Sequence, residues 1–401
     1  MNTSAAPVPP DSRALAPDIE TVDGGVAAML GLGVRRVHVL AWRDYDDPDA
    51  GGSEEHADQF MRRWAGSGLE VTHRTSAASG LAAMDRRNGY RVVRRGGRMS
   101  VFPLTAMSEV ARRMGPYDAL VEIWNGVPWM SPLWCRRPRL TFLHHVHGPM
   151  WDQIMPRPLA GVGRLMEARL APPFYRRTLT LTPSEATREE LLALGFAPAR
   201  TVSVPNGVDP FFQPDPGMRS PSPLLVCVGR QAPVKRFDRM IEAAIVAKRS
   251  VPDLTMIIVG EGPLHEDMKA FVRDRAAESW ITFHGRADRP QLLEFYRRAW
   301  VVGSASLAEG WGLTLTEAAG CGTPAVATDI NGHRCSVVDG VTGLLAPVDS
   351  LGDALVRVLS DTALRRRLGD AALARARTLT WEASALGVTR GLLHEIRRRS
   401  N

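Results

Sequence analysis

Two glutamates bracket the stretch Glu309-Gly-Trp-Gly-Leu-Thr-Leu-Thr-Glu317, eight residues apart, with Gly310 and Gly312 between them. An ionised carboxylate accepts several hydrogen bonds and donates none. A pair of them around a turn therefore suits a ligand with vicinal hydroxyls. The glycines permit a tight turn and close backbone approach. A helix starting at Leu313 or Thr314 would leave its first amides free for an anion or a hydroxyl-rich group. A structural reading competes, because Thr314-Leu-Thr-Glu317 fits a capping box. It explains Glu317 and leaves Glu309 without a duty.

Other residues could carry chemistry elsewhere. Gly51 and Gly52 precede a helical pattern whose N-terminus could cradle a phosphate. Asp44-Tyr45-Asp46 matches a D-x-D metal pattern, and the same aspartates could line an acceptor side. FLHHVHG puts His144, His145 and His147 at the C-terminal end of a strand, where parallel-sheet sites form. No compatible ligand set for zinc accompanies them. Trp124, Trp129, Trp134 and Trp151 crowd the same half as core or as stacking faces. RRNGYRVVRRGGR (86–98) is either a solvated surface or a contact for an anionic membrane or nucleic acid.

These residues need a scaffold. A chain of 401 residues predicts two domains. At 44% hydrophobic and 23% charged it has material for two cores. The net charge of +7 favours anionic partners without selecting one. The four cysteines lack C-x-x-C spacing and read as reduced and structural, in a cytoplasmic protein. No apolar run is long enough to span a membrane, and the start lacks the pattern of a secretory signal. Its Pro, Ala and Ser content predicts a flexible tail over 1–33.

Strands then alternate with helices: RRVHVLAW, LEVTHRTS, RVVRRG, DALVEIWN and RLTFLHHV read as strands. Helices are expected over 53–68 with Ser53 as cap, around SEVARRM, over 157–177, and from Ser184 to Gly195. The stretch 204–223, with six prolines and two glycines, reads as a linker. Alternation resumes with PLLVCVGR, the helix KRFDRMIEAAIVAKRS, and the runs LTMIIVG, ITFHGR, WVVGSA and PAVATD. The expectation is α/β: two Rossmann-like parallel-sheet domains facing a central cleft.

Glu309 through Glu317 resembles the E-x(7)-E motif of retaining nucleotide-sugar glycosyltransferases of the GT-B fold, glycosyltransferase family 4 in particular. VPNGVDPFFQP resembles that family's linker and VGRQAPVKRFDRMIEA its V-G-R-x(4)-K segment. IIVGEGP, ITFHGR, GCGTPAVATD and DGVTGLL follow in the family's order. TLTWEAS resembles the start of its C-terminal helix. The resemblance implies an acceptor-side domain over 34–210, a donor-binding domain over 211–376, and a helix over 377–401 returning to the first domain.

It also implies roles. Arg230 and Lys235 grip the diphosphate, with Gly51 and Gly52 approaching from the other domain. Two pre-placed cations would stabilise charge growing on a leaving diphosphate. Glu309 meets sugar hydroxyls and Glu317 the ribose, with Gly310, Trp311, Gly312, Leu313 and Thr314 completing the donor loop. Gly285 and Arg286 line the base pocket. His144, with His145 second, supports the reacting sugar beside Glu309. The leaving phosphate takes the acceptor's proton in front-face attack, and no metal or other cofactor is implied.

One departure stands out: the family's Gly-Gly followed three positions later by Glu reads Asn331-Gly332-His333-Arg334-Cys335, which leaves the donor's identity open. The implied function is metal-independent transfer of a hexose from a UDP- or GDP-sugar to a hydroxyl acceptor such as a lipid or glycan. The implied location is cytoplasmic, compatible with peripheral contact at the inner face of an anionic membrane. A nucleotide-sugar epimerase of the same architecture is the alternative. An oxidoreductase lacks its G-x-G-x-x-G after a strand, and no recognised nucleic-acid module is present.

Overall fold

The computed structural model describes residues 12–400, which form two compact units. Unit 1 runs to Gly207 and takes back Trp381 onward; unit 2 is Val208–Thr380. The sequence placed these boundaries at 210/211 and 376/377.

Unit 1 is built on eight strands: β1 (Arg36–Leu40), β2 (Glu70–Thr75), β3 (Met84–Arg87), β4 (Tyr90–Arg94), β5 (Ala119–Trp124), β6 (Arg139–Leu143), β7 (Thr180–Thr182) and β8 (Thr201–Ser203). Their order is β3-β4-β2-β1-β5-β6-β7-β8. Every pairing is parallel except β3 with β4. That exception is a hairpin closed by Asn88 and Gly89, whose φ values of 47° and 88° suit a two-residue turn matched to strand twist. β5 is buried along its whole length, as helices on both faces of a parallel sheet require.

Residues 12–33 are not a flexible tail; the first eleven lie outside the described residues. Thr21 caps a helix over Val22–Gly31, accepting from the Gly24 amide at 3.0 Å. Val22, Val26 and Met29 join the core of unit 1. The C-terminal helix Trp381–Ser400 packs on that helix and on Gly52–Gly66. Gly25 lets it approach, since a Cβ there would stand 2.4 Å from Thr389 Cγ2. The single helix expected over 157–177 is three pieces: Arg157–Leu165, a π-helical turn Met166–Leu170, and Pro172–Tyr175. Pro172 and Pro173 cannot continue an α-helical ladder. The helix expected around SEVARRM is Val101–Val110.

Unit 2 has six parallel strands: β9 (Leu224–Val228), β10 (Thr255–Val259), β11 (Ile281–Gly285), β12 (Val301–Ser304), β13 (Ala325–Thr328) and β14 (Gly343–Ala346). The order β11-β10-β9-β12-β13-β14 winds outward from β9, then restarts at β12 on its other side. The chain therefore leaves β9 and β12 in opposite directions, and this switch point at the carboxyl ends of the strands is where ligands bind in open α/β sheets.

Candidate functional site

Two of the expected donor-side residues of unit 2, Lys235 and Glu309, meet at that switch point. Arg230 is exposed just beyond the end of β9. A short turn, Pro233–Lys235, brings the Lys235 stem back over Gly229, with Cε 3.9 Å from where a Cβ on that glycine would stand. From the β12 side, Glu309 meets it: Lys235 Nζ donates to Glu309 Oε1 at 2.5 Å. Ser306 Oγ donates to the same oxygen at 2.8 Å. Burial pushes the Glu309 carboxyl up, but the charge of Lys235, that of His333 when protonated, and the two hydrogen bonds outweigh it and hold it below 4.5. Glu309 is thus an anion at neutral pH, and both of its hydrogen bonds among the described residues go to Oε1, none to Oε2.

The loop beneath it is tight. A Cβ on Gly332 would stand 2.2 Å from the Glu309 carbonyl oxygen, so only glycine allows this approach. Beside it His333 is fully buried. Its Nδ1 lies 2.8 Å from the Thr328 carbonyl, which only accepts, so Nδ1 carries the proton. Its Nε2 faces Ser304 Oγ at 3.1 Å. Burial holds the imidazole below 6.5 despite Glu309, so it is neutral and braces the Ser304–Ser306 strand end.

Gly312, at φ 87°, opens the helix Leu313–Gly320. This corrects the capping-box reading: Thr314 lies inside the first turn. Glu317, half-buried, instead accepts from the buried Tyr296 hydroxyl at 2.8 Å. The helix N-terminus is thereby left to Gly312 and Leu313 backbone amides without a side-chain cap. Trp311 is buried, whereas Gly310, Leu313 and Thr314 are half-buried. Tyr296→Phe is expected to cost unit 2 about 1.5 kcal/mol, the worth of a buried hydrogen bond to a carboxylate, read from the urea midpoint.

At the end of β11, Gly285 adopts φ 79° and its carbonyl accepts from the Gly260 amide at 2.7 Å. Arg286 is exposed, with Nε 3.5 Å from Glu261 Oε2. No local pattern points to Gln231, which is buried and stitches the β9 and β10 loops together. Its amide donates to the Glu261 carbonyl at 3.0 Å and its Nε2 to the Gly260 carbonyl at 2.7 Å.

Unit 1 places its expected residues differently. The helix after β1 starts at Gly52, with Gly51 rather than Ser53 as its cap. The Gly51 amide donates to Glu54 Oε2 at 2.7 Å, and Arg43 Nε holds the other oxygen at 3.2 Å. A carboxylate of the chain thus already occupies part of the anion site expected at Gly51 and Gly52. The D-x-D reading is overturned. Asp44 is fully buried and accepts from Arg87 Nη1 at 2.6 Å, Arg94 Nε at 2.7 Å and the Tyr45 amide at 2.7 Å. Asp46 also pairs with Arg87. The lone pairs of Asp44, spent this way, are not offered to a metal or an acceptor.

His144 is buried, and neither ring nitrogen has a hydrogen-bond partner. Burial, with His56 and His145 nearby, pushes its pKa well below 6.5. It packs on Phe142 at 4.8 Å and edge-on to His56 at 5.2 Å. His145 is half-buried and stacks face to face on His147 at 4.4 Å. Stacked rings do not converge their nitrogens on one point, so this trio is not a zinc cage. The tryptophans are core: Trp124, Trp129 and Trp151 are buried and Trp134 is half-buried against them. Each indole N–H has an acceptor, at Gly126, Ile123, Glu167 and Trp129 respectively.

Comparison with known proteins decides the family. The model described as Glycosyl transferases group 1 matches residues 209–375, and Glycosyltransferase Family 4 matches 50–211. A D-inositol 3-phosphate glycosyltransferase of Kribbella flavida is 32% identical over 314 residues, covering 69% of this chain and 71% of that one. The chain is a family 4 glycosyltransferase.

A more distant relative is a GDP-mannose-dependent alpha-(1-6)-phosphatidylinositol monomannoside mannosyltransferase of Mycobacterium tuberculosis. It is 26% identical over 339 residues, covering 78% of this chain and 87% of its own. Among solved structures, sucrose-phosphate synthase from Thermosynechococcus elongatus superposes with a TM-score of 0.75 at 21% identity, over 88% of this chain and 97% of that one. Anabaena HepE in complex with UDP and glucose gives 0.70 at 17%, over 88% and 97%. These structures establish the GT-B fold.

Within this glycosyltransferase the departure at 331–335 takes on a shape. Cys335 stands where the family pattern has glutamate, and its Sγ lies 3.1 Å from the Asn331 carbonyl. None of the four cysteines forms a disulfide. Arg334 is tied to Asp329, Nε to Oδ1, at 2.6 Å. The turn keeps the glycine that lets Glu309 in, while its acidic group is absent.

Proposed function

We propose that this glycosyltransferase binds a nucleoside-diphosphate sugar in unit 2 and transfers the hexose, with retention, to a hydroxyl acceptor assigned to unit 1. The observation that carries the reading is the Lys235–Glu309 pair, formed by the two loops that diverge at the sheet's switch point. Lys235 retains two further N–H donors for a diphosphate, and Arg230 supplies a second cation at the end of β9. Glu309 Oε2 accepts from a sugar hydroxyl. Glu317, oriented by Tyr296, accepts from the ribose. The uncapped amides at Gly312 and Leu313 face the sugar, with Gly310, Trp311 and Thr314 shaping the loop. Gly285 and Arg286 receive the base.

Two fixed cations meet the charge of the leaving diphosphate, so transfer needs no metal. UDP and GDP are the bases favoured by the relatives' donors, and a polyol, glycan or lipid hydroxyl the acceptor class. On unit 1, His144 and His145 are assigned to the reacting sugar, and Gly51 and Gly52 to the diphosphate, which would have to take the Gly51 amide from Glu54. Glu309, held ionised, is not set up to give a proton to a sugar ring, so nothing favours an epimerase. Among the described residues no helix is long and apolar enough to cross a membrane, and we place the protein in the cytoplasm, its membrane contact being peripheral.

The test is a thermal-shift panel of UDP, GDP, ADP and TDP, with and without a chelator. One base should raise the melting temperature by several degrees in both conditions. Glu317→Gln should remove the shift while the unliganded protein melts within a few degrees of wild type. If no nucleotide shifts the transition, the donor assignment fails.

A further inference from the structure

Sixteen large apolar side chains are exposed among the described residues, and ten of them lie between Met99 and Phe174. Scattered exposure needs no explanation, but this concentration within unit 1 does. The helix Val101–Val110 exposes Leu104 and Met107, and the short helix Ser131–Trp134 exposes Leu133. The broken segment 157–175 exposes Val162, Leu170 and Phe174. The short helix packs against both of the others, which makes the three neighbours on the unit's surface. Along 157–175 it is Ala160, Glu167, Ala171, Pro172 and Tyr175 that face the core. A helix of a freely soluble protein turns its apolar stripe inward; this one turns a second stripe out.

The charge around these side chains is one-sided. From Arg95 to Arg177 nine arginines are exposed, and Asp152 is the one exposed acid. Asp152 is itself paired with Arg164. Glu109, Glu122 and Glu167 are buried. The stretch 86–98 contributes less than its composition promised, since Arg87, Arg94 and Arg98 are bound to Asp44, Asp46 and Asp47.

We propose that this face of unit 1 docks on an anionic lipid bilayer. Leucine, valine, methionine and phenylalanine side chains enter the boundary between headgroups and acyl chains, and the flanking arginines meet lipid phosphates. The combination selects the occupant. A nucleic acid would use the arginines and leave the apolar stripe in water. A second copy of this chain would bury the stripe but oppose arginine to arginine. The proposal deepens the transferase reading by naming the surface on which a lipid-borne acceptor is met, and it does not depend on the donor site.

The experiment is co-sedimentation of the full chain with vesicles of phosphatidylcholine alone, or with about 30 mol% phosphatidylglycerol added. Partitioning into the anionic vesicles should be at least about tenfold stronger and should fall with added salt. Leu170→Glu with Phe174→Glu should reduce it by about tenfold or more, with the melting temperature and circular dichroism unchanged. Lys235→Met should bind vesicles as wild type does, which separates this result from failure of the donor site. Equal weak binding to both vesicles, or binding that survives the Leu170/Phe174 change, overturns the proposal. So does a wild-type dimer in solution that the same change disperses while no vesicle binding is seen.

Discussion

Lys235→Met is expected to lower kcat/KM for sugar transfer by about a thousandfold, equivalent to about 4 kcal/mol of lost transition-state stabilisation. The ammonium is asked to meet a diphosphate whose charge rises as the glycosidic bond breaks, and a methionine stem offers similar bulk with no donor. The structure raises a rival account. Lys235 lies 2.5 Å from Glu309, so its loss also leaves a half-buried carboxylate with Ser306 as its remaining partner. If neutralising Glu309 were its whole purpose, Lys235→Met combined with Glu309→Gln would recover activity, because the stranded charge would be gone. If it grips the diphosphate, the double variant stays at or below the single one and loses the nucleotide-induced thermal shift as well. Recovery of transfer to within tenfold of wild type would remove Lys235 from the diphosphate site.

The residues of this pair were legible in the chain and their partnership was not. Glu309, Gly310, Gly312 and Glu317 sit in one continuous run, where spacing and turn chemistry speak directly. Lys235 and Glu309 are separated by 74 positions, and only the sheet order brings β9 beside β12. Tyr296 lies on another helix, so the capping-box pattern looked sufficient for Glu317. Gln231 and His333 act through loop backbones that no local pattern announces. Composition misled at the start of the chain: Pro, Ala and Ser before Thr21 hid a short helix whose stability comes from packing against the C-terminal helix, a contact made across most of the sequence. The Asn88-Gly89 hairpin carried a readable turn signal, masked by the arginines around it. β8, three residues long, is too short for periodicity to register.

The aspartates of the D-x-D pattern give the largest stability effect. Asp44→Asn is expected to destabilise unit 1 by about 3–5 kcal/mol, because it leaves buried guanidinium charge without its counter-ion. The Arg94 side chain is 1% exposed and Arg87 12%, and both donate to Asp44. Burial pushes the Asp44 carboxyl up, but hydrogen bonds from Arg87 and Arg94 and the charge of a protonated His73 win and set it at about 2. A carboxyl held below its unfolded value stabilises fully above about pH 4 and loses that contribution as pH falls towards 2. Buried His73 and His56 are held down to about 4 and 3. The unfolded chain takes up those protons first, so unit 1 should begin to weaken as pH drops below about 6.5, before Asp44 titrates.

Seven of the ten tryptophans lie in unit 1, so urea unfolding followed by indole fluorescence reports on it. Adding Arg94→Met to Asp44→Asn should recover part of the loss by removing the stranded charge. Millimolar manganese or magnesium should leave the wild-type midpoint unmoved. A midpoint raised by metal, or an Asp44→Asn protein that unfolds within about 0.5 kcal/mol of wild type, would mean these carboxylates have lone pairs to spare and would restore the metal reading of Asp44-Tyr-Asp46.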